Sequence, residues 1–141
     1  MEPSSAHKAV IAYSDGASRG NPGLAAFGAV VYDKDGRELH RTLRAIGRAT
    51  NNQAEYQGAI AALEAALGLG ATEAELRMDS ELIVRQLSGR YKVRNPRLLP
   101  LYKRLLALRS RFARIEVRHI PRAQNKVADA LANEALDRRA Q

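Results

Sequence analysis

Four acidic residues, each in a distinct local sequence, are the residues of this chain best suited to chemistry. Asp15 lies in YSDGASRGNPG, Glu55 in TNNQAEY, Asp79 in LRMDSELI and Asp129 in NKVADALAN. If these carboxylates converge in the fold, each pair repels by roughly 4 kcal/mol at 4 Å and an effective dielectric constant near 20. Such a cluster is stable mainly around a cation, and Mg²⁺ or Mn²⁺ prefers oxygen ligands of this kind. The four residues are therefore candidate metal ligands.

Polar residues beside the first two acids supply groups suited to a nucleic-acid partner. Glycines let a backbone approach closely, and hydroxyl, amide and guanidinium groups donate hydrogen bonds to a phosphate or a 2′-hydroxyl. The candidates after Asp15 are Gly16, Ser18, Arg19 and Asn21. The candidates before Glu55 are Thr50, Asn51, Asn52 and Gln53.

Each carboxylate also has a purely structural interpretation. Asp15 could be a turn residue, and Glu55 could complete a capping box with Asn52. Asp79 could form part of a helix cap, and Asp129 could stabilise the first turn of a helix. Each interpretation is sufficient for one residue alone, but all four together favour a shared site.

The positions of these acids depend on the predicted elements. Strands are predicted at 8–14, 25–32, 37–46, 74–78 and 114–120, with a glycine-rich turn at 16–23 and a hairpin turn at 33–36. Helices are predicted at 52–67, after Ser80, from about 98 to 112, and at 126–138, the last with Val127, Leu131 and Ala135 inward. Helical connections imply parallel strands joined by right-handed crossovers.

This element order predicts an α/β fold, a five-stranded mixed sheet with helices on both faces. Ligands of such sheets bind beyond the carboxyl ends of the strands. Asp15 and Asp79 both follow predicted strands, so they lie side by side if the first and fourth strands are parallel neighbours. We predict a shared metal site at that edge.

Composition limits the class of the protein and its partners. The length of 141 residues and a hydrophobic content of 45% predict one domain, 1–141, with a core at about 8–137 and frayed ends at 1–6 and 139–141. The net charge of +8 favours nucleic acid, although a basic solvated surface would look the same. Because cysteine is absent and no apolar run could span a bilayer, we expect a cytoplasmic protein without membrane contact. Nothing in the pattern indicates more than a monomer.

The four motifs together resemble those of type 1 ribonuclease H. They read D-G-x-S-x-G-N-P-G, T-N-N-x-A-E-Y, M-D-S and H-x-P-R-x-x-N-x-x-A-D-x-L-A-N, in that order, across about residues 8–137. The resemblance implies the ribonuclease H-like fold with strand order 3-2-1-4-5. It also implies an endonuclease that cleaves the RNA strand of RNA–DNA hybrids and leaves 5′-phosphate and 3′-hydroxyl ends.

The same resemblance implies roles for individual residues. Asp15, Glu55, Asp79 and Asp129 fall on the four catalytic positions, which hold two Mg²⁺ ions, with Mn²⁺ as a substitute. Glu55 would also contact the 2′-hydroxyl that distinguishes RNA from DNA. The implied substrate-binding positions are Gly16, Ser18, Arg19, Asn21, Thr50, Asn51, Asn52, Gln53, Ser80 and Asn125.

The chain departs from the long-form bacterial members in two places. The segment between Asp79 and Asp129 is too short for their basic protrusion, so a basic loop at 88–97 replaces part of its hybrid-binding role or is only a solvated linker. Their auxiliary histidine has the offset of His119, but His119 is predicted to lie on a strand. We therefore favour Arg122 as the auxiliary residue.

Two other functions remain compatible with the motifs. One is a catalytically inactive module that binds hybrids or RNA. The other is a 3′–5′ exonuclease of the same superfamily, which the TNNQAEY segment disfavours. Cleavage of double-stranded RNA or of RNA–DNA junctions also stays open.

Overall fold

The computed structural model describes residues 8–140 and begins with a three-stranded antiparallel meander. The strands are β1 (Ala9–Gly20), β2 (Gly23–Asp33), β3 (Glu38–Ala49), β4 (Glu73–Met78) and β5 (Arg114–His119). The helices are α1 (Asn51–Gly68), α2 (Glu81–Leu87), α3 (Leu99–Arg109) and α4 (Lys126–Ala140), with a 3-10 turn at Arg122–Gln124. None of the helices in this range is both long and apolar enough to cross a membrane.

The five strands form one mixed sheet in the order β3-β2-β1-β4-β5. The meander pairs are antiparallel, whereas β4 pairs in parallel with both β1 and β5. This confirms the predicted strand order and the predicted parallel pairing of the first and fourth strands. Because β1 and β4 are parallel neighbours, their carboxyl ends lie at the same end of the sheet.

Helices cover both faces of the sheet, as two consecutive residues of β2 demonstrate. Neighbouring side chains of a strand point to opposite faces. The Cβ of Phe27 packs on Gly58 of α1, whereas Gly28 faces the backbone of Ala128 and Ala132 in α4. The larger core lies on the α1 face, where α1 and α3 contribute Leu63, Ala66, Leu105 and Leu108 among others.

The structure corrects the predicted end of the first strand. Residues 16–20 do not form a turn, because β1 stays paired with β2 as far as Gly20, opposite Gly23. The reversal is confined to Asn21 and the cis-bonded Pro22. Small and charged residues have low strand propensity, but pairing with β2 overrides that local preference.

Three further expectations concern the inward face of the last helix and the frayed ends of the chain. Val127 is exposed, whereas Ala128, Leu131 and Ala135 form the buried face of α4. Residues 139 and 140, for which fraying is expected, are the last two residues of α4. The fraying expected at 1–6 and at 141 lies outside the described residues.

Candidate active site

The register of β1 and β4 places Asp15 and Asp79 beside each other. The last pair in this parallel register is Tyr13 with Arg77. Both acids therefore lie two residues beyond the last pair, at the same edge. Asp15 is still within β1, where it pairs with Gly28 of β2. The predicted juxtaposition is right, although Asp15 does not end its strand.

Glu55 reaches the same edge from the first turns of α1. The helix begins with a capping box between Thr50 and Gln53, in which Gln53 N donates to Thr50 Oγ1 at 3.2 Å and Thr50 N donates to Gln53 Oε1 at 2.7 Å. This rules out the structural alternative for Glu55, a capping box with Asn52. Because another pair caps the helix, the Glu55 carboxylate is free to point toward β1.

The absence of a side chain at Gly16 lets α1 approach β1 closely. A Cβ at this position would lie 2.3 Å from the Glu55 backbone nitrogen. At this short range Gly16 N donates to Glu55 Oε1 at 2.7 Å and to Asp15 Oδ1 at 3.0 Å. Gly16 therefore accommodates the backbone of α1. Its N–H group also orients the carboxylates of Asp15 and Glu55.

The three acids form a compact cluster in a polar cleft of about 500 Å³. One oxygen of each of Asp15, Glu55 and Asp79 lies within 4.8 Å of the others. Asp15 and Glu55 are each only 5% exposed. Asp129 lines the same cleft from the first turn of α4, outside that tight group. All four predicted carboxylates thus converge on one cleft.

Burial and mutual repulsion raise the pKa values of the two buried acids. Burial raises the pKa of Asp15 to about 9, with the charges of Glu55 and Asp79 and a hydrogen bond with Asp129 acting in the same direction. Burial and the charge of Asp79 raise the pKa of Glu55 to about 8, although the bond from Gly16 N opposes this rise. The cluster therefore holds protons at neutral pH that a bound cation would displace.

The donor set fits a hard divalent cation. It consists of carboxylate oxygens alone, and none of the ion pairs described for residues 8–140 involves an acid of the cluster. Carboxylates brought together without a basic partner are the ligands that Mg²⁺ and Mn²⁺ prefer. Asp15, Glu55 and Asp79 are suited to hold such an ion, and Asp129 lines the same cleft.

Two asparagines donate hydrogen bonds to acids of the cleft, Asn125 from a buried position and Asn133 from the cleft lining. Asn125 is only 1% exposed, and its Nδ2 donates to Ser14 O at 2.9 Å and to Asp79 Oδ2 at 3.1 Å. Asn133 Nδ2 donates to Asp129 O at 3.0 Å and Oδ1 at 3.4 Å. The burial of Asn125 contradicts its expected place on a substrate-binding surface. Asn133 is absent from the predicted site residues, although its position one helical turn after Asp129 is a usable signal.

The other predicted substrate-binding residues divide into two groups. Those that line the cleft are Gly16, Ser18, Asn51 and Ser80, together with Arg122. Those outside the lining are Arg19, Asn21, Thr50, Asn52 and Gln53. Thr50 and Gln53 are engaged in the capping box, and Arg19 pairs with Asp137 of α4. Asn21 accepts a hydrogen bond from Asn51 N at 3.0 Å, so it supports a cleft residue.

The two candidates for an auxiliary residue occupy different places. His119 is the last residue of β5, opposite Met78, and is absent from the lining of the cleft. Arg122 begins the 3-10 turn before α4 and lines the cleft with an exposed side chain. The strand position predicted for His119 is confirmed.

The basic loop after α2 is exposed and attached to that helix through Tyr91. Arg85 Nη1 donates to Tyr91 Oη at 3.2 Å, and the guanidinium carbon lies 5.4 Å from the centre of the ring. The charged residues of this loop are exposed: Arg90, Lys92, Arg94 and Arg97. Because Ser80 caps α2 and lines the cleft, α2 connects the cleft to the loop.

Comparison with known proteins gives consistent matches over nearly the whole chain. The family model described as "Reverse transcriptase-like" matches residues 13–135. The N-terminal RNase H domain of Rv2228c from Mycobacterium tuberculosis is 54% identical, with a TM-score of 0.92 over 95% of this chain and 97% of that one. RNase H1 from Halobacterium salinarum is 51% identical, with a TM-score of 0.89 over 92% and 98%.

A third solved structure is that of LC11-RNase H1 in complex with an RNA/DNA hybrid. It is 42% identical, with a TM-score of 0.89 over 94% of this chain and 99% of that one. The curated full-length relatives are longer: this chain spans 36% of the length of the bifunctional protein Rv2228c and 64% of that of the Halobacterium enzyme. With its fold, its acidic cluster and these relatives, the chain belongs to the type 1 ribonuclease H family.

Proposed function

We propose that this protein is an endonuclease that hydrolyses the RNA strand of RNA–DNA hybrids, giving 5′-phosphate and 3′-hydroxyl ends. The observation that carries the proposal is the convergence of Asp15, Glu55 and Asp79 within 4.8 Å in a polar cleft. The hybrid bound to LC11-RNase H1, a similar protein, supports the choice of substrate. The net charge of +8 supports a polyanionic partner.

The acidic residues would hold two Mg²⁺ ions, with Mn²⁺ as a substitute. When bound, the ions activate a water and stabilise the leaving 3′-oxygen during in-line attack on the phosphate. Asp15 interacts with all three other acids, because it clusters with Glu55 and Asp79 and shares a hydrogen bond with Asp129, so it would be a central ligand of the bound metal. The elevated pKa values of Asp15 and Glu55 imply that metal binding releases protons.

RNA selectivity would depend on the residues beside Glu55. This carboxylate can accept a hydrogen bond from a 2′-hydroxyl, which DNA lacks. Asn51 and Ser18 line the same cleft as Glu55 and offer donors to the sugar–phosphate backbone. Asn52 and Gln53 follow Asn51 in the first turn of α1, where they would contact the minor groove. Arg19 and Thr50 would contact the DNA strand.

Arg122 would be the auxiliary residue, since it lines the cleft and His119 does not. A guanidinium binds phosphate strongly but does not act as a base near neutral pH. We expect Arg122→Ala to lower kcat by about tenfold or more and His119→Ala by less than about threefold, because only the first removes a phosphate contact. Steady-state cleavage of one hybrid checks this. A larger defect in His119→Ala would contradict the assignment.

The basic loop would extend the hybrid-binding surface beyond the cleft. Its four cations are exposed, and Tyr91 is held by Arg85 at the end of α2. A duplex seated on the cleft continues past one scissile phosphate, so a second basic surface along its axis adds phosphate contacts. Cleavage of double-stranded RNA or of RNA–DNA junctions would use the same surfaces.

One chain carries every proposed catalytic group, which supports action as a monomer. The lack of cysteine supports a cytoplasmic setting.

The experiment that tests the function is cleavage of one RNA–DNA hybrid labelled at either RNA end, with Mg²⁺, Mn²⁺ or chelator. We expect metal-dependent internal cuts in the RNA strand only. Double-stranded RNA, double-stranded DNA and the Asp15→Asn variant serve as controls. Retained binding without cleavage in either metal would indicate an inactive hybrid-binding module. Products released one nucleotide at a time from a labelled end would indicate an exonuclease.

A further inference from the structure

Asn125 occupies a junction between three elements of the site. It follows the 3-10 turn, and its carbonyl accepts the first hydrogen bond described for α4, from Asp129 N at 3.1 Å. Asparagine at this position usually caps the helix with its side chain. Here the side chain turns away and donates from Nδ2 to Ser14 O in β1 and to Asp79 Oδ2 after β4. One amide thereby connects β1, the end of β4 and the start of α4.

Both hydrogen bonds of this amide have a defined direction. Ser14 O and the Asp79 carboxylate are acceptors, so the nitrogen of the amide must face them. Asn125 Oδ1 is buried without a hydrogen-bond partner among the described residues, which is unfavourable for a polar atom. A buried amide that forms hydrogen bonds through its nitrogen and leaves its oxygen without a partner is placed there for the contacts of its nitrogen end. That end holds Asp79 against β1.

Asp79 has little other support. It lies beyond the last β1–β4 pair, in the bend before α2, and is more exposed than Asp15 or Glu55. The bond from Asn125 is the one described for its carboxylate in residues 8–140. Glu55 and Asp15, in contrast, both accept from Gly16 N. The cluster therefore has two independent orienting donors, a backbone amide for one half and Asn125 for the other.

We propose that Asn125 is a positioning residue that sets the orientation of Asp79 as a metal ligand, and that it does not contact the substrate. This inference rests on the proposed function, because it assumes a divalent cation in the acidic cluster. Residues that orient metal ligands typically change metal affinity by about 10–100-fold when they are removed. Loss of Asn125 therefore acts on metal affinity first, whereas loss of a substrate contact acts on the KM for the hybrid.

The test is the binding of Mn²⁺ to Asn125→Ala, measured by titration calorimetry and by electron paramagnetic resonance without nucleic acid. Gln124→Ala is the matched control, since it removes an exposed amide from the adjacent residue, outside the lining of the cleft. We expect the Kd for Mn²⁺ to rise about 10–100-fold in Asn125→Ala and to stay unchanged in Gln124→Ala. At saturating metal, the KM for the hybrid should change by less than about threefold.

Asn125→Ser provides a second variant if Asn125→Ala does not fold, since its hydroxyl is too short to span both acceptors. Thermal unfolding of each variant with chelator establishes that the folded protein is titrated. A folded variant with unchanged Mn²⁺ affinity, or a raised KM with unchanged affinity, would overturn the inference alone. A parent protein that binds no Mn²⁺ would overturn the metal site of the proposed function and this inference with it.

Discussion

At the scale of single residues, the site combines groups that destabilise one another. Asp15 and Glu55 are almost completely buried, and no cation is paired with them within residues 8–140. Burial and repulsion raise the pKa of both groups. Such a cluster is maintained against its own energetic cost, which is typical of functional sites.

Replacement of Asp15 by Asn should separate function from stability. We expect Asp15→Asn to reduce cleavage by at least about 10³-fold, because it removes one of the carboxylates proposed to hold the metal. Without metal and near pH 6, the variant should be more stable by about 1–3 kcal/mol, or roughly 3–10 °C, because Asn is neutral without a proton, whereas the buried Asp15 carboxyl must take one up on folding. Cleavage assays and thermal unfolding in chelator measure the two effects. Equal cleavage by variant and parent would contradict the site.

The pH dependence of stability follows from the raised pKa values. Asp15 and Glu55 keep protons in the folded state that they lose in the unfolded state above about pH 4. The folded state therefore binds more protons between about pH 4 and 9, and stability falls as pH rises, by up to about 1.4 kcal/mol per pH unit for each group.

Melting temperatures of the metal-free protein between pH 5 and 9 check this dependence. Asp15→Asn should differ least from the parent at pH 5, close to the pH at which Asp15 is protonated in both the folded and the unfolded state, and exceed it increasingly toward pH 9. A difference between variant and parent that does not change with pH would show that Asp15 has an ordinary pKa.

At the scale of elements, two close contacts bring helices to the sheet. Gly16 admits α1 with Glu55, and Gly28 admits α4 with Asp129. A Cβ at position 28 would lie 2.4 Å from Ala128 O and 2.6 Å from Leu131 Cβ. These atoms bracket Asp129 in sequence, so the distance between α4 and the sheet sets the depth of that carboxylate in the cleft.

Gly28→Ala should therefore damage both stability and activity. We expect a loss of about 1–3 kcal/mol, because the backbone of α4 must move away, and reduced kcat because Asp129 moves with it. Gly68→Ala is the matched control, since nothing lies within 4 Å of its added Cβ and alanine is favoured over glycine in a helix. Denaturant unfolding and cleavage assays measure both variants. A Gly28→Ala protein as stable as the parent would contradict the close packing of α4.

At the scale of the whole molecule, a net charge of +8 surrounds a cluster of acids. In the proposed function, the cleft would hold the metal and the basic residues would attract the polyanionic substrate. Affinity for the hybrid should fall linearly on a log–log scale with salt concentration, as counterions are released from neutralised phosphates.

The basic loop should account for part of that salt dependence. We expect Lys92→Ala with Arg94→Ala to lower the slope by about 1–2, because each lost phosphate contact removes about 0.7–0.9. Lys34→Ala with Arg37→Ala is the matched control, since it removes the same charge from the β2–β3 turn at the far end of the sheet. Hybrid binding at several salt concentrations provides the slopes. Identical slopes for both double variants would indicate that the loop is only a solvated linker.

The sequence alone determined the element order, the sheet and the four acids of the cleft. Helix and strand periodicity is local, and it identified α1, α3, β4 and β5 within a few residues. The local sequences around the four acids indicated candidate metal ligands, and resemblance to type 1 ribonuclease H then implied their catalytic roles, because the motifs combine unusual residue types in a defined order. Local signals were wrong where pairing or packing competes with them, as in the extension of β1 through residues 16–20 and the outward position of Val127.

Only the tertiary structure decided which polar residues face the cleft and which support it. Thr50 and Gln53 cap α1, and Asn125 donates to Asp79 from a buried position. Arg122 and Asn133 line the cleft, where Asn133 also donates to Asp129. An asparagine has the same hydrogen-bonding groups whether it meets a substrate or a neighbouring carboxylate. Its role depends on burial and on partners distant in sequence, and these are properties of the packed fold that no local pattern encodes.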